Sequence, residues 1–111
     1  MTVPQLKKVY SMETQAHEFL QALLNAPSPS GYEEPAQAVV RDYAASFADT
    51  VTTDLHGNVI VGKNVDAPVR VLFAGHCDQI GLVVTYIDEK GFLYAKPIGG
   101  WDPQQLIGQR M

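Results

Sequence analysis

The spacing of apolar positions changes along the chain, and each change marks an element. Over residues 14–26, Ala16, Phe19, Leu20, Leu23 and Leu24 recur at intervals of three and four, which predicts a helix with one buried stripe and with Glu18 and Gln21 outside it. Pro27-Ser28-Pro29-Ser30-Gly31 then breaks the pattern, because two prolines fix φ and the glycine permits positive φ. A second helix is predicted over about residues 33–48, with Ala36, Val39, Val40, Tyr43 and Phe47 as its stripe. Ser30 and Glu33 have the S-x-x-E spacing of a capping box, whereas Pro35 suits the first turn of a helix that starts slightly later. Both starts fit the pattern.

After Asp49 the period falls to two. Val51-Thr52-Thr53 and Val59-Ile60-Val61 read as the arms of a β-hairpin, with Asp54-Leu55-His56-Gly57-Asn58 as its turn. Val69-Arg70-Val71-Leu72-Phe73-Ala74 is almost continuously apolar, as expected of a strand buried on both faces of a mixed sheet, and it runs straight into Gly75-His76-Cys77-Asp78. Two further strands are predicted at residues 80–87 and 92–95, joined by Asp88-Glu89-Lys90-Gly91. The tail is rich in glycine and proline up to Pro103, and residues 105–110 read as strand or loop. Helices and strands together give an α/β fold class, without internal repeats.

Composition narrows the function. With 111 residues, 46% of them hydrophobic and 18% charged, the chain has the length for at most one modest globular domain with its own core, which should form if the chain is complete, whereas a fragment should expose sheet edges and apolar faces. A net charge of −4, with eight scattered Lys and Arg, leaves no basic patch for a phosphate backbone, so nucleic acid is not an expected partner. No apolar run is long enough to span a bilayer, and residues 1–10 lack the apolar core of a signal peptide, so no membrane association and a cytoplasmic location are expected. The single cysteine, Cys77, excludes an internal disulfide and reads as a small packed residue.

The candidate chemistry lies at His76 and Asp78, at the exit of the most apolar segment, where sites in open α/β sheets gather. Two residues apart on extended chain, their side chains share a face, so Asp78 accepts a hydrogen bond from one imidazole nitrogen and the other is left for a metal. The alternative is a histidine satisfied by a neighbouring carboxylate, with no metal. His17, on the polar side of the first helix, and His56, in a turn, read as solvated. Trp101 either lines a pocket or covers a small core. No phosphate loop, G-x-S-x-G or Cys/His nucleophile pair is present.

Four segments in order, Pro27-Ser28-Pro29-Ser30-Gly31-Tyr32-Glu33, Asp54-Leu55-His56-Gly57-Asn58-Val59-Ile60, His76-Cys77-Asp78-Gln79-Ile80-Gly81 and Ile98-Gly99-Gly100-Trp101-Asp102, resemble the glutamyl-aminopeptidase or tetrahedral-aminopeptidase family of dinuclear metallopeptidases. The resemblance implies that residues 1–79 are the N-terminal part of a catalytic domain built on a zinc-exopeptidase-like mixed sheet flanked by helices. Residues 80–111 would begin an inserted β-rich dimerisation domain. It implies a metal-dependent aminopeptidase that removes N-terminal residues from peptides, with two divalent ions, zinc or cobalt, as cofactors. His76 would be one metal ligand and Asp78 the acid that holds its imidazole in place. The partners implied are a peptide substrate and further copies of the chain, in homo-oligomers built from dimers. Two positions depart from the family: Gln79 stands where Glu is usual, losing a charge beside the site, and Cys77 where Met is customary. Family members continue well beyond this length, and that part carries the bridging Asp, the general-base Glu and the other ligands, so the chain alone is expected to be inactive. The rivals are a related co-catalytic zinc exopeptidase and a non-catalytic assembly module with a structural His-x-Asp.

Overall fold

A computed structural model describes residues 13–110. The expectation about a signal-peptide core in residues 1–10 falls outside that range. Helix α1 spans Thr14–Asn25 and helix α2 spans Glu34–Ala44, so both periodic stretches are helical, but the buried stripe predicted for α1 is not formed: none of its residues is buried, and Leu20 and Leu24 are exposed. For α2 the later start is the one adopted: Glu33 is the N-cap and Pro35 lies in the first turn. The capping box does not form, because the Ser30 hydroxyl is engaged elsewhere and the Glu33 carboxylate accepts from the Gly31 amide at 2.6 Å. At the other end α2 gives way to turns over 45–47, short of the predicted end at Ala48. The helices meet through Phe19 and Tyr43, whose rings stack with centroids 4.2 Å apart, and Phe47 meets Tyr43 edge-on at 5.6 Å. Ala36 and Ala44 are the buried hydrophobic residues of α2.

Strands β1 (Thr50–Thr53) and β2 (Val59–Gly62) pair antiparallel, with Thr53 opposite Val59 and Thr50 opposite Gly62. Asp54 makes the turn: one carboxylate oxygen accepts from the His56 and Asn58 amides, both at 2.9 Å, and the other from the Asn58 side chain at 2.8 Å. Gly57 completes it at φ 89°, a conformation that disfavours a Cβ. These hydrogen bonds, those from Asn58 foremost, hold the Asp54 carboxyl below the usual carboxylate range. Strands β3 (Gly81–Ile87) and β4 (Leu93–Ile98) form a second antiparallel pair with a bulge between Val84 and Tyr86. Asp88 closes its loop by the same device, accepting from the Lys90 and Phe92 amides at 2.9 Å each. Residues expected as strand or loop at 105–110 instead begin in a 3-10 turn, Pro103–Leu106, capped by the Asp102 carboxylate at the Gln104 amide.

The α/β class holds, but one strand does not. Residues 69–74 take no strand conformation and have no ladder partner among the described residues. Leu72 and Phe73 stand 89% and 91% exposed where burial on both faces was predicted. An apolar run records a demand for burial, which a strand meets only with neighbours on both edges; the strands present pair only as two separate hairpins. The expectation of a self-contained core fails with it. Accessible surface is 9972 Å², against about 6,000 Å² for a compact chain of this mass. The radius of gyration is 20.4 Å, where about 13 Å is usual for this length. Among the described residues no helix is long and apolar enough to cross a membrane.

Two outcomes follow from this shape. The 111-residue chain alone is expected to bind a hydrophobic dye strongly and to elute from size exclusion above its 12.1 kDa mass; a dye-silent monomer with a sharp thermal transition would contradict the open structure. Because the Asp54 pKa is lowered on folding, its contribution to the β1–β2 turn is complete above 3.8 and is lost as pH falls through the depressed value. Carboxyl-carbon NMR should therefore give a midpoint below 3.8, with the Asn58 amide shift following the same curve.

Candidate functional site

The loop between the helices reaches across to the segment that follows residues 69–74. The Gln79 amide donates to the Ser28 carbonyl at 2.7 Å and the Ser30 amide donates to the Gln79 carbonyl at 3.3 Å, forming a parallel bridge between Pro29 and Gln79. Ser28, 1% exposed, adds a third link, its hydroxyl donating to the Cys77 carbonyl at 2.8 Å. Two features of the sequence allow this approach. Gly31, at φ 92°, turns the loop out of the bridge towards α2, and Gly81 lies so close that a Cβ there would meet the Pro29 Cβ at 3.3 Å.

On this clamp sit His76 and Asp78. The imidazole Nδ1 lies 2.8 Å from one Asp78 carboxylate oxygen, Oδ1, and the other oxygen, Oδ2, accepts from the Ser30 hydroxyl at 2.7 Å. An ionised carboxylate only accepts, so Nδ1 carries a proton, and in the neutral tautomer this leaves the Nε2 lone pair outward. The His76 side chain is 86% exposed and that of Asp78 41%, and Nε2 has no partner among the described residues. The Ser30 hydroxyl first, and then His76, draw the Asp78 carboxyl below the usual carboxylate range, which keeps it charged. The hydrogen bond expected from the i, i+2 spacing is thus formed, although residues 71–78 belong to no sheet ladder.

The other singled-out residues stay apart from this pair. His17 and His56 are exposed, on α1 and in the β1–β2 turn. Burial pushes the half-buried Cys77 thiol up, and the carboxylates of Glu33 and Asp78 add to the effect, which disfavours the thiolate. Trp101 donates its indole N–H to the Ile98 carbonyl at 2.9 Å and, with Ile80, Leu82 and Leu106, lines an open apolar trough of about 480 Å³. No group of three or more His, Cys, Asp and Glu suited to a metal ion occurs among the described residues. The placement of His76, with Nδ1 on a carboxylate and Nε2 facing outward, fits a single ligand to a divalent ion. Ser28 and Ser30 were not legible as members of the site, since their partners lie 49 and 48 residues away along the chain.

The family model for the M42 glutamyl aminopeptidases matches residues 57–111, a stretch that includes His76, Asp78 and Trp101. The chain belongs to the M42 glutamyl aminopeptidase family. Among its relatives, a lysyl aminopeptidase of Pyrococcus furiosus is 40% identical over 95 residues, covering 85% of this chain and 27% of that protein. A glutamyl aminopeptidase of Lactococcus lactis is 29% identical over 93 residues, covering 82% of this chain and 26% of its own length. The crystal structure of a TET aminopeptidase from the marine sediment archaeon Thaumarchaeota archaeon SCGC AB-539-E09 superposes with a TM-score of 0.72 at 36% identity, over 81% of this chain and 25% of that one. The chain therefore spans about a quarter of the length of the M42 relatives it matches.

The clamp is open to a direct test. Replacing Ser28 with Ala removes the donor to the Cys77 carbonyl and should lower the local opening free energy of the Gln79 amide, read by hydrogen exchange, by about 1 kcal/mol. Unchanged exchange at Gln79 would show that the backbone bridge holds without it.

Proposed function

We propose that the protein carrying this chain is a metal-dependent aminopeptidase that removes N-terminal residues from peptides, with two divalent ions, zinc or cobalt, as its cofactors. The observation that carries the reading is the His76–Asp78 pair of an M42 chain: Nδ1 bound at 2.8 Å to the carboxylate and Nε2 without a partner among the described residues. In this reading Nε2 of His76 is one metal ligand. Asp78 keeps the proton on Nδ1 and, by its charge, makes the imidazole a stronger donor. When bound, the ion pair supplies Lewis acidity towards the scissile carbonyl and an activated water. A dinuclear site needs several ligands, and the other ligands and the general base come from residues outside this chain, so the chain by itself is inactive.

The boundary between the catalytic part and an inserted β-rich dimerisation part falls near Gln79 and Ile80, where the clamp ends and β3 begins. The complete protein is a cytoplasmic homo-oligomer built from dimers, in keeping with the apolar surface left open on the β3–β4 hairpin, where Val83, Val84, Leu93 and Tyr94 are exposed. A non-catalytic assembly module remains the rival reading, and it is favoured by the same exposed surface.

Metal content separates the two. The complete protein should hold about two divalent ions per subunit by elemental analysis. His76→Ala should lower that content and abolish hydrolysis of aminoacyl substrates, and Asp78→Ala should weaken metal affinity by about 10- to 100-fold. A protein that holds no metal and is indifferent to His76→Ala would be the assembly module.

A further inference from the structure

Residues 71–78 have no sheet ladder, so His76 and Asp78 are not fixed in the way a central strand would fix them. Both side chains are exposed, at 86% and 41%, where an aspartate ordinarily samples several rotamers and an imidazole exchanges between its tautomers. What restrains them comes from the loop after α1. Backbone hydrogen bonds at Gln79 and the Ser28 hydroxyl at Cys77 fix the chain on either side of Asp78. The Ser30 hydroxyl then takes Oδ2 at 2.7 Å and leaves Oδ1 for Nδ1 of His76 at 2.8 Å.

We propose that Ser30 is a positioning residue for His76: by holding one oxygen of Asp78 it turns the other towards Nδ1, so that the ring keeps its proton there and directs the Nε2 lone pair outward. A hydroxyl suits this task better than a cationic donor would. Arg or Lys would also hold the carboxylate, but would offset the negative charge through which Asp78 strengthens the imidazole. Serine fixes the orientation and leaves the charge in place. It is also short enough to act from a loop whose own backbone is bonded to Gln79, so the hydroxyl and the bridge reinforce one another. The consequence for metal affinity rests on the reading of His76 as a ligand; the consequence for the tautomer does not.

The experiment compares wild type, Ser30→Thr, Ser30→Val, Ser30→Ala and His76→Ala in the complete metal-free protein. Threonine and valine are nearly isosteric and differ in the hydroxyl, so this pair separates hydrogen bonding from packing. Long-range nitrogen–proton NMR of labelled histidine, at a pH where the ring is neutral, reads the His76 tautomer, and exchange at the Gln79 amide checks that the clamp persists. Wild type and Ser30→Thr should show mainly the Nδ1–H form. Ser30→Val and Ser30→Ala should lower the ratio of Nδ1–H to Nε2–H by about five-fold, the worth of one net hydrogen bond. Zinc affinity, measured by competition with a chromophoric chelator, should fall about five-fold in the same two variants and recover in Ser30→Thr. Equal tautomer ratios in Ser30→Val and Ser30→Thr, with Gln79 still protected, would overturn the role of Ser30. Zinc binding that is unchanged by His76→Ala would instead overturn the ligand reading, and a tautomer shift in Ser30→Val would still support Ser30 as the residue that sets the ring.

Discussion

The bridge between Pro29 and Gln79 is the contact on which the site depends. Helices α1 and α2 are joined by aromatic stacking, and each hairpin is held by its own ladder and by an aspartate in its turn, but these are local structures. The loop at residues 27–31 ties the helical part to the segment bearing His76, through two backbone hydrogen bonds and the buried Ser28 hydroxyl. Without it His76 and Asp78 would sit on exposed chain with nothing to orient them. The requirement is steric as well as polar, because the close approach of Pro29 leaves little room for a side chain at position 81.

Much of this architecture is legible in the sequence, for reasons that differ from element to element. The helices show because their stripes recur at three and four, and the hairpin turns because Asp and Gly stand at the positions where a carboxylate acceptor and a positive φ are needed. The His76–Asp78 contact is readable because two residues of extended chain suffice to make it. The strand over 69–74 was misread, since hydrophobicity reports what a segment would gain by burial and carries no information on which edge will supply it. The partner of Ser30 was hidden for the opposite reason. Its local spacing to Glu33 offered a plausible partner, and the partner it takes is Asp78, which no local pattern can show. The 3-10 turn at Pro103–Leu106 was hidden by a mixture of proline, glutamine and aliphatic residues that suits no single period.

Membership of the M42 family and the open shape of the chain fit together. Large exposed residues such as Leu72, Phe73 and Ile107 are costly in water and would gain by being covered, and the M42 relatives are about four times as long as the stretch they share with this chain. The site lies where the loop after α1 meets residues 77–79, just ahead of β3, so its geometry draws on both segments and belongs to neither alone.

The separation of 48 residues between Ser30 and Asp78 also bears on timing. His76 and Asp78 are neighbours in any conformation of the chain, folded or not, whereas Ser30 joins them only after a long loop has closed against its entropy. On the proposed reading of His76 as a metal ligand, metal capture would then be coupled to folding order. An unfolded chain offers a histidine free to hold its proton on either nitrogen, and the Nδ1–H form would gain its several-fold preference once the two distant segments have met. On that reading the hydroxyl would act as a check on assembly, disfavouring uptake of an ion before the fold around it exists.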